Sequence, residues 1–458
     1  MSEIVWSPAA WAQAEFEGCE LGDRRRVERA VKYAEQVVAR PDGSTPEQTE
    51  GWADCKAADR LFDCEEVTFT RLAEPHWRRT RSSAQGVVLL IDDTTQTDYG
   101  RTSDVAGLGP TGNGSGYGFY LHSSLMVEAG SERILGLAGG EVFLRHVRNK
   151  TENTRQRTLR PRPQSEVWGR VIEQVGRPAP GVRYVHVCDR GADNLEVFCR
   201  LLPLGCGWVI RASHLKRQVR LMSGQSRSLN EACDEAEFLG RFELPLRETD
   251  KSPARTATME VRVTRVWLPR PQHATPWLKR TGVGAVATTV IEVREVDTPA
   301  GVKPLRWVLF TDEHVSTRDE ARRIIGYYEQ RWLIEEFHKA LKTGCRLESR
   351  QYQTRSRLEA VTGLLSVVAV RLVQLKHAAR VKPDEPAEVR VPREWLAMLR
   401  SLRKRAIVTI RDFLRELAGL GGHLGRKADG EPGWITLWRG VNKLLLCLRG
   451  RQTQNKCG

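Results

Sequence analysis

This chain lacks the short sequence signals that mark several common protein classes. Its ten cysteines include no C-x-x-C pair, which argues against a zinc knuckle, a dithiol redox site and, at 458 residues, a disulfide framework. No apolar run approaches the roughly 20 residues of a membrane-spanning helix. We expect no secretory signal, because the first residues carry neither a basic region nor a long apolar segment. The sequence contains no G-x-x-x-x-G-K-S/T loop for a nucleotide phosphate, and it has no internal repeat.

Carboxylates are the scarcer of the two charged classes. The chain has 72 Lys and Arg against 57 Asp and Glu, so its formal net charge is +15. An excess of this size predicts a polyanionic partner. An anionic membrane would suit the charge equally well, but without a spanning segment nucleic acid is the better hypothesis. A hydrophobic fraction of 40% indicates a globular protein, and unpaired cysteines fit a reducing, cytoplasmic location.

The first 75 residues are predicted to be helical. Asp23 is a suitable N-cap for a helix whose apolar residues recur at helical spacing. Pro41 ends this predicted helix. A second helix is predicted at 49–62. A small basic helical module of this kind is typical of a DNA-contacting unit, although a docking appendage would have the same composition.

Two continuous apolar runs end in aspartate. Residues 87–91 precede Asp92 and Asp93, and residues 184–188 precede Asp189. Continuous runs are typical of strands that are buried on both faces. Because the carboxyl ends of such strands meet at one edge of an α/β sheet, Asp93 and Asp189 are expected to lie close together. Either aspartate alone would more commonly be a turn residue or a helix cap.

The remaining pattern predicts a mixed α/β chain. Further strands are predicted at 119–127, 134–144, 208–210 and 307–310, and further helices at 165–175, 194–202 and 358–379. A glycine-rich stretch, 107–118, is interpreted as a mobile loop, and 214–306 as a mostly β insertion. Residues 382–386 are a natural linker to a basic helical C-terminal module.

Residues 328–342 read as one helix with two chemically opposite faces. At about 100° per residue, four polar side chains fall within an arc of roughly 60°: Tyr328, Arg331, Glu335 and Lys342. An apolar stripe lies opposite them. A carboxylate in that row could hold a metal ion, and its cations could bind phosphates. A solvated charged face would give the same pattern.

Three carboxylates therefore stand out by position: Asp93, Asp189 and Glu335. Without zinc-type ligands they suit hard divalent cations, chiefly Mg²⁺, for which Mn²⁺ can substitute. Two such ions roughly 3.5–4 Å apart can activate a nucleophile and stabilise the leaving oxygen in an in-line phosphoryl transfer.

These motifs resemble those of the DDE transposases of the insertion-sequence-four family. Asp93 begins a D-T-T sequence, Asp189 begins D-R-x-A-D, and the family signature Y-x2-R-x3-E-x6-K is filled by the row from Tyr328 to Lys342. The resemblance extends over nearly the whole chain. It implies a ribonuclease H-like catalytic core at 76–380, with the β insertion inside it. Helical domains for DNA binding at 1–75 and for dimerisation at 381–458 would flank that core.

The resemblance also implies a function and a role for each site residue. The protein would bind terminal inverted repeats, cleave the ends through a hairpin and join the 3′-hydroxyls to target DNA. It would act as a homodimer in the bacterial cytosol, with two Mg²⁺ ions on the three carboxylates. Trp307 would stack on a flipped base. The other residues expected to contact DNA are Tyr328, Arg331, Lys342, Arg211, Lys339, Arg25, Arg26, Arg29 and Arg60.

Two alternatives share parts of this pattern. A metal-dependent nuclease or resolvase would use the same carboxylates without strand transfer, and a non-catalytic DNA-binding remnant would pair DNA ends without cutting them. The complete set of three carboxylates argues against the remnant. The row of Tyr328, Arg331 and Lys342 argues against a plain nuclease, which has no hairpin to hold.

Overall fold

The structure is a computed structural model that describes residues 7–100, 104–112, 114–131, 133–145, 162–246, 254–381, 383–426 and 430–457. The chain forms two compact units. Unit 1 comprises Met1–Ala84, Thr94–Arg145 and Leu333–Gly458, and unit 2 comprises Gln85–Asp93 and His146–Trp332.

The elements are those of a mixed α/β protein. In chain order the helices are α1 Pro8–Phe16, α2 Arg24–Ala39, α3 Thr45–Gln48, α4 Trp52–Phe62, α5 Phe69–Ser82, α6 Pro163–Val175, α7 Leu195–Leu204, α8 Leu229–Asp234, α9 Pro276–Arg280, α10 Arg318–Glu329, α11 Trp332–Lys339, α12 Arg355–Val381, α13 Ala387–Arg390, α14 Arg393–Arg403, α15 Ile410–Leu420 and α16 Trp434–Cys457. The strands are β1 Val87–Gln96, β2 Gly109–Thr111, β3 Gly116–Gly118, β4 Tyr120–Glu128, β5 Ile134–Phe143, β6 Arg183–Cys188, β7 Gly207–Arg211, β8 Gln218–Leu221, β9 Ser226–Ser228, β10 Glu237–Leu246, β11 Arg255–Pro269, β12 Ala285–Val296 and β13 Arg306–Thr311.

Unit 1 is built around helices at both ends of the chain. The predicted N-cap is confirmed, because the Asp23 side chain accepts a hydrogen bond from the Arg25 amide at the start of α2. Helix α12 packs against α5, β5 and the C-terminal helix α16. Its central residues from Leu358 to Val373 are almost all apolar and buried. This helix is therefore the core of the unit.

One sequence prediction about long apolar segments needs correction. Within the described residues, Arg355–His377 of α12 is long and apolar enough to cross a membrane by length and composition. Most of that segment is buried inside the protein, as in the core helix of many globular domains. The polar residues interspersed along it hide its length when only uninterrupted apolar runs are counted.

The glycine-rich stretch is a short hairpin rather than the predicted mobile loop. Strands β2 and β3 pair antiparallel, with Gly109 opposite Gly118. A Cβ at Gly118 would collide with the Thr97 carbonyl, and one at Gly116 would collide with the Asp98 carboxylate. These two glycines allow a close approach of backbones, which the sequence pattern does not distinguish from flexibility.

Unit 2 contains a sheet in the order β1-β6-β7-β13-β12-β11-β8-β9, with β10 added on β11. Strands β1, β6 and β7 are parallel, and the pairs from β7 to β11 are antiparallel. The predicted insertion is mostly β, and it continues this sheet instead of forming a separate body. Strand β13, which carries Trp307, lies between β7 and β12.

The sequence predicted one continuous helix at 328–342, but the structure divides this stretch into three segments. Helix α10 ends at Glu329, and the amide of Arg331 donates to the Tyr328 carbonyl over 3.0 Å in a tight turn. Helix α11 then begins at Trp332, and Lys342 lies in a π-helical segment, Ala340–Gly344. The constant rotation of 100° per residue is lost at both junctions, so the shared arc does not describe these side chains.

Candidate active site

The strand register of unit 2 brings Asp93 and Asp189 to neighbouring positions. Asp92 of β1 is paired with Cys188 of the parallel strand β6, so each catalytic candidate follows one member of that pair. Parallel strands lie about 4.8 Å apart, and successive side chains alternate between faces. Asp93 and Asp189 therefore project from adjacent strands towards the same face. Strand β1 runs on to Gln96, so Asp93 marks the end of the buried part of the strand rather than the end of the strand.

Both carboxylates are already engaged in this structure. The Asp93 carboxylate lies 3.6 Å from Arg331, and only 17% of its side chain is exposed. Asp189 Oδ1 accepts from the Gly191 amide over 2.7 Å, which caps the short helix Arg190–Ala192. The cap uses one oxygen of Asp189, and the other oxygen can serve a cation. Arg331, which the sequence assigned to phosphate binding, thus contacts a carboxylate of the candidate site.

A second pair of polar side chains lies on the opposite face of these two strands. His186 Nδ1 donates to Asp92 Oδ2 over 2.7 Å, and both side chains are completely buried. Burial alone would lower the pKa of His186, but the Asp92 carboxylate raises it to about 9. Sequence reasoning missed both residues. The available signal was a histidine inside an otherwise apolar buried run and an acidic residue directly before Asp93.

The thiol of Cys188 lies next to the buried Asp92 carboxylate. Its Sγ lies 3.6 Å from Asp92 Oδ2, at the limit of a weak hydrogen bond. Burial raises the pKa of Cys188 well above its usual value, and the carboxylates of Asp92, Asp189 and Asp93 raise it further.

Aromatic residues extend the site along unit 2. The rings of Trp307 and Tyr328 lie 5.8 Å apart at 58°, a distance typical of interacting aromatic pairs. Tyr328 is buried, whereas Trp307 is partly exposed. Arg211, the last residue of β7, donates to the carbonyl of Arg306 over 3.2 Å. Trp307 therefore contacts Tyr328, and Arg211 bonds the backbone of the residue before Trp307.

Unit 1 carries the other half of the signature. Glu335 is exposed in the first turn of α11, and Lys339 is exposed in its last turn. Glu336, beside Glu335, forms ion pairs with Lys376 and with His377 of α12, the latter over 3.1 Å. These contacts fix α11 against the core helix. Lys342 lies 3.3 Å from Glu348, so its ammonium is also engaged by a carboxylate.

The predicted N-terminal arginines differ in how strongly they are held. Arg25 is exposed and pairs with Asp23 at 3.1 Å. Arg26 pairs with Glu66 at 2.8 Å, and Arg29 pairs with Asp54 at 3.1 Å. Arg60 is exposed near the end of α4. The contacts of Arg26 and Arg29 give both side chains a structural role within the module, besides any contact with DNA.

An exposed tryptophan in the same module was missed by sequence reasoning. Trp52, the first residue of α4, is 71% exposed. The ammonium of Lys56, one turn later, lies 5.0 Å from the centre of its ring. Residues 52, 56 and 60 repeat every four positions, so Arg60 continues the same helix face. An indole beside two cations is suited to a nucleic-acid surface.

Within the described residues, no group of three or more His, Cys, Asp or Glu side chains is placed to hold a metal ion. Unit 2 does bring two of the three predicted carboxylates to adjacent positions. Carboxylate oxygens are the donors that Mg²⁺ prefers, so the chemistry of the pair fits such an ion. Glu335 belongs to unit 1.

Three family descriptions match successive parts of the chain. Residues 8–67 match a transposase DNA-binding family, residues 164–370 match a transposase DDE domain, and residues 367–456 match a transposase Tn5 dimerisation domain. The DDE match includes Asp189 and Glu335 and begins after Asp93. Together the three matches span most of the chain.

Proposed function

Since this chain belongs to the Tn5-like DDE transposases, which share the architecture of the insertion-sequence-four family, we propose that it excises and inserts DNA by a cut-and-paste route. It is a DNA-cleaving and DNA-transferring enzyme with a ribonuclease H-like DDE domain, a DNA-binding domain and a dimerisation domain. The proposal adds that cleavage of each transposon end passes through a DNA hairpin. The freed 3′-hydroxyls would then attack target DNA. The contacts linking Asp93, Arg331, Tyr328 and Trp307 are the observation that carries the hairpin step.

Domains of this family depend on divalent metal ions, and we propose that Asp93, Asp189 and Glu335 hold two Mg²⁺ ions or, in their place, Mn²⁺. The neighbouring positions of Asp93 and Asp189 in the strand register support this assignment. Bound ions of this kind supply activation of the attacking oxygen and stabilisation of the leaving oxygen. The guanidinium of Arg331 lies 3.6 Å from the Asp93 carboxylate, so it partly compensates the charge of one of these proposed ligands.

The residues around Trp307 would hold the distorted strand during hairpin closure. Unstacking a base costs a few kcal/mol, which stacking on an aromatic ring can offset. Trp307 is partly exposed and is supported by the buried ring of Tyr328. Arg331, once displaced from Asp93, could bind the adjacent phosphate, as could Arg211 from the neighbouring strand. Lys342 and Lys339 of unit 1 would contribute further phosphate contacts.

The N-terminal module would recognise the terminal inverted repeats. Arg25, Arg26, Arg29 and Arg60 remain the proposed contacts of the module, and the exposed face of Trp52 and Lys56 joins them. The match over residues 8–67 supports DNA binding by this module. The match over residues 367–456 supports a homodimer, which we propose pairs two ends in a synaptic complex on DNA in the bacterial cytosol.

The test is cleavage of the cognate end by the purified full-length protein. With Mg²⁺ and a labelled duplex containing the terminal repeat, we expect hairpin-ended products, and with a chelator we expect none. Glu335→Ala should abolish the products and leave DNA binding intact. Asp319→Ala is the matched control, because Asp319 is an exposed carboxylate in the first turn of the preceding helix α10. Normal cleavage by Glu335→Ala would overturn the site assignment.

A further inference from the structure

The buried pair of Asp92 and His186 is expensive for a protein to maintain. Its side chains are 1% and 0% exposed, and they meet at 2.7 Å across two adjacent parallel strands. Taking a carboxyl group and an imidazole out of water costs free energy, and apolar residues of similar volume often replace buried polar pairs without loss of stability. Stability alone therefore does not account for the pair.

The position of the pair suggests a different role. Asp92 directly precedes Asp93, and His186 lies three residues before Asp189. The hydrogen bond runs between β1 and β6, the two strands that lead to those carboxylates. It lies on the face of the strands opposite Asp93 and Asp189. A directional bond at this point restricts both the lateral distance and the sliding of β1 against β6. Packing of apolar side chains at the same place would tolerate small shifts.

We propose that the Asp92–His186 hydrogen bond is a positioning device that holds Asp93 and Asp189 at the separation required to bind a divalent cation. Neither residue touches the cation or the DNA, so both act through the strand backbones. The inference rests on the proposed function, because it takes Asp93 and Asp189 as metal ligands. Groups that orient metal ligands from behind typically change metal affinity by about 10-fold to 100-fold when they are removed.

The decisive variant is Asp92→Leu/His186→Leu in the full-length protein bound to its end DNA. It removes the hydrogen bond and leaves no orphaned buried charge, so we expect it to fold and to bind DNA. Its dissociation constant for Mn²⁺, measured by electron paramagnetic resonance or calorimetry, should rise about tenfold or more. The Mg²⁺ concentration for half-maximal cleavage should rise in parallel, with a smaller change in the rate at saturating metal.

The chain offers a matched control in unit 1. Glu15 of α1 and His76 of α5 form another buried carboxylate–histidine pair, with Nδ1 and Oε2 2.8 Å apart. The variant Glu15→Leu/His76→Leu removes a buried pair of the same kind away from the candidate site, and it should leave Mn²⁺ affinity unchanged. A second variant, Asp92→Asn/His186→Gln, retains a neutral hydrogen bond between the strands. It should keep Mn²⁺ affinity within about threefold of the wild type. This variant also tests the positioning role if the leucine variant does not fold.

The outcomes separate this inference from the proposed function. Unchanged Mn²⁺ affinity in the folded leucine variant would overturn the positioning role, as would a tenfold loss in the folded Asn/Gln variant. Asp93→Ala should itself weaken Mn²⁺ binding. If it does not, the metal site is wrongly assigned and the inference falls with it. A wild type that binds Mn²⁺ through Asp93 and makes no hairpins would refute the hairpin route and leave the positioning test intact.

Discussion

Replacing Glu336 by glutamine should destabilise unit 1 at neutral pH and have little effect in acid. Glu336 joins α11, the helix that carries Glu335, to Lys376 and His377 of α12. Its side chain is only 21% exposed. Burial raises the pKa of this carboxyl, but hydrogen bonds from His377 and Lys376 outweigh burial. The net effect lowers the pKa from 4.5 to about 2. The ionised form is therefore the one that the folded state prefers.

The size of the effect follows from that difference in pKa. Each tenfold change in an ionisation constant corresponds to about 1.4 kcal/mol, so Glu336 contributes up to roughly 3 kcal/mol. Because the folded pKa lies below the unfolded value, the contribution is complete above about pH 5. It is lost as the pH falls from 4.5 towards 2. Glutamine cannot ionise, so the two proteins should differ by roughly 3 kcal/mol at pH 7.5 and converge only at or below about pH 2.

Urea unfolding followed by far-ultraviolet circular dichroism at several pH values would measure this difference. Glu359→Gln is the matched control, since Glu359 lies in α12 and is 23% exposed. Burial raises the pKa of Glu359, so its charge is unfavourable in the folded state, and its replacement should be neutral or stabilising at pH 7.5. A constant difference between wild type and Glu336→Gln across the pH range would refute the reasoning.

Two further predictions concern aromatic residues. Trp307→Ala should reduce hairpin closure by roughly tenfold or more while leaving the first nick less affected, because base stacking is worth about 1–3 kcal/mol. Denaturing gels would separate nicked from hairpin products, and an unchanged hairpin yield would restrict Trp307 to a packing role in β13. Trp52→Ala should weaken binding to end DNA by a similar factor, whereas Lys56→Ala should lower the slope of affinity against salt concentration by about one. Fluorescence anisotropy would measure both effects, and wild-type affinity and slope would exclude this helix face from the DNA surface.

Local sequence patterns accounted for many of the elements. Apolar runs predicted the buried strands β1 and β6, and Asp23 predicted the start of α2. The same local rules failed at Gln330, where a turn that satisfies backbone hydrogen bonds interrupts an otherwise continuous amphipathic pattern. They also failed at Gly116 and Gly118, because sequence alone does not distinguish a glycine required for close packing from one that confers flexibility.

The sequence by itself determined which functional groups are available for the proposed chemistry. It supplied carboxylates at the ends of buried runs, a row of cations and a basic surplus, all of which depend on residue type and short spacing. Only the tertiary structure decided which of these groups meet. The register of β1 on β6 set Asp93 beside Asp189 and joined Asp92 to His186, and the turn after α10 directed Arg331 to Asp93. Such pairings connect residues about a hundred or more positions apart in the chain, and long-range packing, not local periodicity, selects among them.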